Sequence, residues 1–174
     1  MGHSFGCIVM SATVAAGGAP LPRPVDTLYL VQGAFSLWSC SRPIPVAPGK
    51  NGYFRPMVED RVRGPILTTV SEHDTAVGKL YPLAAGVAGQ VVYDAGNLPK
   101  YGAVGAFGLQ GDGFTVEDRV MPPADDPTTY TGGQVYNLDA AEFICEGGGL
   151  SGAHNDIAKP EVAHAFWRAL ISTV

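Results

Sequence analysis

The 174-residue sequence has few charged residues and few cysteines, and both shortages exclude classes of protein. Its formal net charge is −5 and basic residues form no run, so the electrostatic pattern of a nucleic-acid-binding protein is missing. The cysteines Cys7, Cys40 and Cys145 are widely spaced and form no C-x-x-C pair, which argues against a disulfide framework or a zinc site. We therefore expect reduced thiols, a cytoplasmic location, and neither a metal nor a cofactor.

Long hydrophobic runs are also missing from the sequence. No stretch reaches the roughly 18 apolar residues that a membrane-spanning helix needs, so no membrane span is expected. Residues 7–16 have the apolar composition of a secretion signal, but the first basic residue is Arg23, so the positively charged leader of such a signal is missing. A small apolar helix over residues 5–16, stopped by Gly17 and Gly18, fits this stretch better.

The first chemical motif lies at the start of the chain. Residues 2–6, Gly-His-Ser-Phe-Gly, have the G-x-S-x-G pattern of a nucleophile elbow. In an elbow the serine lies on a sharp strand-to-helix turn with strained dihedral angles, and a Cβ at either glycine position is expected to clash. A strand should precede this turn, yet only Met1 does. The pattern is therefore either a chance match or the sign of a chain that begins in the middle of a fold.

Three later segments have the composition of strands. Residues 28–31 form a continuous apolar run within 25–33, which is typical of a strand buried on both faces of a parallel sheet. Residues 64–71 are β-branched and apolar after an initial proline. Residues 134–138 alternate apolar and polar side chains and end at Asp139, which predicts a more exposed strand at a sheet edge.

Helical spacing of apolar residues predicts two further helices in a single domain, 1–174. The first covers 76–88 and is either kinked at Pro82 or begins only near Tyr81. The second begins at Pro160, a residue that is permitted in the first helical turn. The segments 34–60 and 91–133 are rich in proline or glycine and are predicted to be irregular excursions; the glycines three residues apart in 102–111 indicate close approaches between backbone segments.

Three residues could together perform acyl chemistry, and they occur in the order Ser4, Asp74, His154. Asp74 follows the predicted strand 64–71, and His154 lies in a glycine-rich loop before the last helix. Serine is a weak nucleophile until a base takes its proton, and histidine suits that task because its pKa lies near neutrality. A buried carboxylate orients the imidazole and stabilises the imidazolium. This chain order is the order of α/β-hydrolase triads.

Other residues compete for two of these roles. Asp139 and Glu72 are alternative acids, and each acid could instead cap a helix or lie in a solvated turn. His73 adjoins Asp74 in sequence, so the two side chains should diverge. His3 is expected to pack near the elbow, and His164 is expected at the surface or in an interface. These considerations favour His154 as the base.

At these residues the chain resembles the C-terminal part of a bacterial α/β-hydrolase of the serine esterase and lipase type. The resemblance is carried by residues 2–6, 71–74 and 152–154 and spans nearly the whole chain. It implies a partial α/β-hydrolase fold, with a short, mainly parallel sheet flanked by helices. It also implies that Ser4, Asp74 and His154 form the catalytic triad and that the N–H of Phe5 belongs to the oxyanion hole. The loop that carries the family's second oxyanion donor has no counterpart in the chain.

The resemblance implies a serine hydrolase that acts on a carboxylic ester or a related small-molecule acyl substrate. An acyltransferase would use the same residues. The alternative is a non-catalytic hydrolase-like remnant or interaction module. In either case a partial fold predicts self-association, or a complementing N-terminal half, because the strand at 27–33 would present an unpaired apolar edge.

Overall fold

The structure, a computed structural model, describes residues 1–16, 21–84 and 98–173, and a parallel sheet lies at its centre. The strands are β1 Gly2–His3, β2 Leu28–Val31, β3 Ile66–Val70, β4 Val116–Val120 and β5 Val135–Asp139. They form a five-stranded sheet in the order β1-β2-β3-β5-β4, and every pairing between neighbours is parallel. With helices flanking it, this sheet defines a general α/β fold, as the sequence predicts.

Helices of different lengths connect and cover the strands. They are α1 Gly6–Ala15, α2 Tyr81–Ala84, α3 Val104–Phe107 and α4 Pro160–Ile171, with π-helical turns at Met57–Arg61 and Ala76–Leu80. Helix α1 begins directly after the predicted elbow and buries Cys7, Ser11 and Val14. Pro160 lies at the start of α4, where a missing N–H removes no intrahelical bond. No helix in the described ranges is long and apolar enough to cross a membrane.

Strand β2 explains why the apolar run at 28–31 is continuous. Successive side chains of a strand point to opposite faces, and both faces of this strand are covered. Leu28 and Leu30 belong to one hydrophobic cluster, whereas Tyr29 and Val31 belong to a second cluster. All four side chains are buried, so the prediction of a strand covered on both faces is confirmed.

The prediction that 134–138 forms an edge strand is wrong. Strand β5 pairs with β3 on one side and with β4 on the other, and its first four residues are buried. The polar Asn137 is buried because its amide is hydrogen-bonded to Thr68, Leu109 and Asp118. An alternating pattern therefore does not mean exposure when the polar residues are paired inside the protein.

The true edge of the sheet on this side is β4, within a segment predicted to be irregular. Its sequence, Val-Glu-Asp-Arg-Val, is largely exposed, and charged side chains on an edge strand discourage pairing with other chains. The segment 98–133 also contains α3. A close backbone approach in it is confirmed: a Cβ on Gly105 would lie 2.7 Å from the backbone carbonyl carbon of Gln32.

The predicted helix at 76–88 begins as a π-helical turn and becomes α-helical at Tyr81. The Tyr81 N–H donates to the carbonyl oxygen of Ala76, five residues earlier, immediately before Pro82, which has no N–H to donate. Of the two alternatives drawn from Pro82, the structure thus has the α-helix starting at Tyr81. Residues 85–88 of this prediction, and the helix stop at residues 17 and 18, lie outside the described residues.

Candidate active site

Ser4 lies at a turn with the backbone geometry expected of a nucleophile elbow. It follows β1, and its φ is 55°, a value rare for a residue with a side chain. The Ser4 N–H donates to the carbonyl oxygen of Val31 at 3.1 Å, and the Ser4 carbonyl oxygen accepts from the Ala34 N–H at 3.2 Å. Residues at and after the end of β2 therefore hold the strained turn through both backbone polar groups of Ser4.

The two glycines of the motif are not equivalent. A Cβ on Gly2 would lie 2.8 Å from the carbonyl oxygen of Gly6, so no larger residue fits there without a shift of the turn. A Cβ on Gly6 would meet nothing within 4 Å. The expectation of a clash is therefore confirmed for Gly2 and wrong for Gly6.

Ser4, His154 and Asp74 form one continuous chain of hydrogen bonds. The His154 Nε2 lies 2.7 Å from the Ser4 Oγ, and the His154 Nδ1 lies 2.7 Å from the Asp74 Oδ2. Asp74 has no exposed side-chain surface, and the His154 side chain is 11% exposed. The fold thus brings together a hydroxyl, a base and a buried acid from positions up to 150 residues apart.

Asp74 is held by the turn that follows β3. Its Oδ1 accepts from the Val77 N–H at 3.1 Å, and its backbone carbonyl oxygen accepts from the Gly78 N–H at 3.0 Å. One carboxylate oxygen therefore accepts a hydrogen bond at the start of the π-helical turn, as the side chain of a capping residue does. The other oxygen faces the imidazole of His154. The capping role predicted as an alternative for Asp74 is present alongside the contact with His154.

His154 is placed by a glycine-rich loop that lies against the turn of Asp74. The Ala153 N–H donates to the carbonyl oxygen of His73 at 2.9 Å. Gly152 has a φ of 56°, and a Cβ there would lie 2.3 Å from the same carbonyl oxygen. This close backbone contact sets the distance between the loop of the base and the turn of the acid.

Asp156 closes the same loop at its base. Its Oδ2 accepts from the N–H groups of Cys145 and Glu146, and its Oδ1 pairs with the Lys159 ammonium at 3.0 Å. Burial alone would raise the pKa of Asp156, but the hydrogen bonds from Glu146 and Lys159 outweigh burial and lower the pKa. Asp156 is therefore ionised at neutral pH and stabilises the loop in this conformation.

The competing histidines and acids lie elsewhere. His73 is half-exposed and lies 3.9 Å from the exposed Glu72, so its side chain diverges from that of its neighbour Asp74. His164 is bonded to the carbonyl oxygen of Asp126. Asp139 accepts from the Ala141 N–H in a turn at the end of β5.

His3 is closer to the site than its sequence indicates. Its Nε2 lies 2.9 Å from the carbonyl oxygen of His154, and the two imidazole rings are 4.9 Å apart. The sequence predicts only that His3 packs near the elbow. A contact across 151 residues leaves no local signal that could have identified it.

The N–H of Phe5, the predicted oxyanion donor, directly follows Ser4. Among the described residues it has no hydrogen-bond acceptor, so it remains available to a ligand. The Phe5 side chain is largely exposed.

An apolar cleft of about 380 Å³, here called the Ser4 cleft, opens beside this hydrogen-bonded chain. It is lined by Ser4, Phe5, Ala34, Ala76, Val77, Leu80, Tyr81 and His154. Apart from the Tyr81 hydroxyl, the hydrogen-bonding side chains in this lining are Ser4 and His154. A cleft of this size and polarity suits a small apolar ligand held against two polar groups.

The buried thiols are not alternative nucleophiles. Burial raises the pKa of Cys7, one helical turn beyond Ser4, to about 12, and likewise raises the pKa of Cys40 to about 12. Both remain protonated at neutral pH, and the thiolate is the reactive form. Within the described residues, no group of three or more histidine, cysteine or acidic side chains could hold a metal ion.

Comparison with known proteins identifies no relative of this chain. No protein-family model matches the chain, and no curated protein or solved structure is significantly similar to it.

Proposed function

We propose that this chain is a serine hydrolase of the α/β-hydrolase type that cleaves carboxylic esters or related acyl compounds. In this proposal Ser4 is the nucleophile, His154 the general base and Asp74 the residue that orients the imidazole. The observation that carries the proposal is the pair of 2.7 Å contacts that joins these three side chains. Nucleophile, base and orienting acid at this spacing are the geometric signature of activated serine.

The geometry supports a two-step reaction. His154 Nε2 takes the Ser4 hydroxyl proton as the Oγ attacks the substrate carbonyl carbon, and Asp74 stabilises the resulting imidazolium. The Phe5 N–H donates to the oxyanion of the tetrahedral intermediate. The imidazolium then protonates the departing alcohol, which leaves the acyl group on Ser4. Water, deprotonated by His154, then attacks the acyl carbon, and the imidazolium returns this proton to the Ser4 Oγ as the carboxylic acid is released.

The backbone of Ser4 favours this function over a non-catalytic remnant. A φ of 55° at a serine costs of order 1–3 kcal/mol and persists only where the surrounding structure enforces it. At a nucleophile elbow the strain presents the Oγ to the base and to the substrate.

The Ser4 cleft supports a substrate with an apolar acyl group. Its walls are formed mainly by aliphatic side chains and by the ring of Tyr81. A hydrocarbon chain would replace water along these walls, whereas a charged acyl group would lose hydration without gaining a partner.

A fluorophosphonate probe tests the proposal, because it reacts covalently with an activated serine. We expect the chain to be labelled on the peptide that contains Ser4, as identified by mass spectrometry, and S4A to abolish labelling. S151A is the matched control, since Ser151 lies in the loop of His154 but outside the Ser4 cleft. Labelling that persists in S4A, or an unlabelled wild-type chain, would contradict the proposed role of Ser4.

A further inference from the structure

We infer that His3 is a positioning residue that fixes His154 in line with Ser4 through a hydrogen bond to the His154 backbone. The catalytic consequence of this inference rests on the proposed hydrolase function, whereas the contact itself is a property of the fold. The His3 Nε2 lies 2.9 Å from the carbonyl oxygen of His154. A carbonyl oxygen can only accept, so the His3 Nε2 carries the proton and donates it.

The two imidazole rings are also in contact. Their centroids are 4.9 Å apart, and their planes are inclined by 36°. His3 therefore restrains its partner in two ways, through the N–H bond to the main chain of His154 and through ring packing on its side chain. These two contributions can be separated by substitution, because one needs a donor and the other needs a ring.

His3 supplies an anchor that the loop of His154 otherwise lacks. The loop is tied to the turn of the acid by the bond from the Ala153 N–H to the His73 carbonyl oxygen. His3 ties the loop instead to β1, the strand that ends at the nucleophile. The loop of the base is thus fixed relative to Asp74 by contacts with the turn of the acid, and relative to Ser4 by the bond from His3.

Loss of the second anchor should affect the chemical step. A misplacement of about 1 Å at reacting groups can cost roughly 100-fold in rate. Since His3 does not line the Ser4 cleft, its removal should leave substrate binding unchanged. We therefore expect kcat to fall and KM to stay nearly constant.

Two variants of the full chain separate the hydrogen bond from the ring contact. H3F keeps a ring but removes the donor, and H3Q keeps an N–H donor near the position of Nε2 but removes the ring. We expect H3F to lower kcat for a p-nitrophenyl ester, and the rate of fluorophosphonate labelling, by about 10- to 100-fold. H3Q should retain both rates within about fivefold of wild type, while KM changes by less than about threefold in both variants.

Thermal unfolding of both variants identifies a purely structural effect, which would lower the melting temperature without reducing kcat per folded molecule. Wild-type kcat in folded H3F would overturn the inference, as would an equal loss of kcat in H3F and H3Q.

An unlabelled wild-type chain would contradict the proposed hydrolase instead. In that event the imidazole NMR signals of His154 still test the positioning role. They should broaden or split in H3F and stay single in H3Q, and an unchanged spectrum of H3F would contradict the inference.

Discussion

Two clefts open near the carboxyl ends of the parallel strands. They are similar in volume but differ in the chemistry of their linings. The Ser4 cleft has a volume of about 380 Å³ and an apolar lining. The second, here called the Asn137 cleft, has a volume of about 420 Å³ and a charged lining. It is lined by Val70, Glu72, Ala106, Phe107, Gln110, Asp118, Arg119, Asn137, Asp139 and Ala141.

The polar groups of the Asn137 cleft are paired with neighbouring side chains or with the main chain. Asn137 donates to the Asp118 carboxylate at 2.9 Å and to the carbonyl oxygen of Leu109 at 3.1 Å. Arg119 pairs with Glu117 and lies over the ring of Tyr136 at 4.7 Å. Through these contacts the side chains stabilise the fold. They bring no nucleophile to a base.

The Ser4 cleft has fewer polar groups, but the groups it has converge. Ser4 and His154 both line it, and the buried Asp74 lies directly behind the imidazole. The comparison favours the Ser4 cleft as the proposed reactive site, because a hydroxyl, a base and an acid are joined there in one chain of hydrogen bonds, whereas the Asn137 cleft has charged groups without such a chain. Substitutions matched between the two clefts test this conclusion.

The largest difference should separate two aspartates, Asp74 behind the Ser4 cleft and Asp139 in the lining of the Asn137 cleft. D74N should lower kcat for a p-nitrophenyl ester by about 10,000-fold, because an amide holds the imidazole in the wrong tautomer, as the comparable change does in serine proteases. D139N replaces the alternative acid of the Asn137 cleft and should stay within about threefold of wild type. Steady-state kinetics of the two folded variants measures this difference in kcat. An equal effect of the two substitutions would show that Asp74 does not orient the base.

The next effect concerns the strained turn that distinguishes Ser4 from the residues around the Asn137 cleft. G2A should lower kcat by about 10- to 100-fold, since its Cβ would force the turn away from the Gly6 carbonyl oxygen and shift the nucleophile. G6A has open space and lies in the first turn of α1, so it should keep wild-type kcat and raise stability by up to about 1 kcal/mol. Steady-state kinetics measures kcat, and thermal unfolding measures stability, for both variants. If G6A were the more harmful change, the turn would depend on Gly6 in a way that these contacts do not explain.

The residues that converge at Ser4 could be predicted from sequence because each has a local signal. Ser4 lies within a five-residue motif, Asp74 follows a β-branched strand, and His154 follows a glycine-rich segment. Strand β2 could be predicted because burial of both faces requires a continuous apolar run. The sequence therefore predicted three of the strands and the three side chains that the hydrogen bonds at Ser4 and His154 join.

Features that depend on pairing between distant residues could not be predicted in this way. Strand β4 has a polar sequence typical of a loop and becomes a strand only by pairing with β5. Asn137 gives β5 the pattern of an edge strand, although its amide is paired inside the protein. The contact from His3 to His154 has the same origin, because it needs the whole sheet to bring the two residues together.

The smallest effect should distinguish the apolar lining of the Ser4 cleft from the charged lining of the Asn137 cleft. Burial of one methylene contributes about 0.8 kcal/mol, so kcat/KM for p-nitrophenyl esters should rise roughly fourfold with each added acyl carbon until the cleft is filled. A76F should fill part of the cleft and flatten this series while leaving the acetate ester nearly unchanged, since Ala76 lines the cleft. A163F, on the exposed face of α4, is the matched control and should keep the wild-type series. Loss of acetate hydrolysis in A76F would mean that the new ring disturbs His154, and equal series in A76F and A163F would show that acyl chains bind elsewhere.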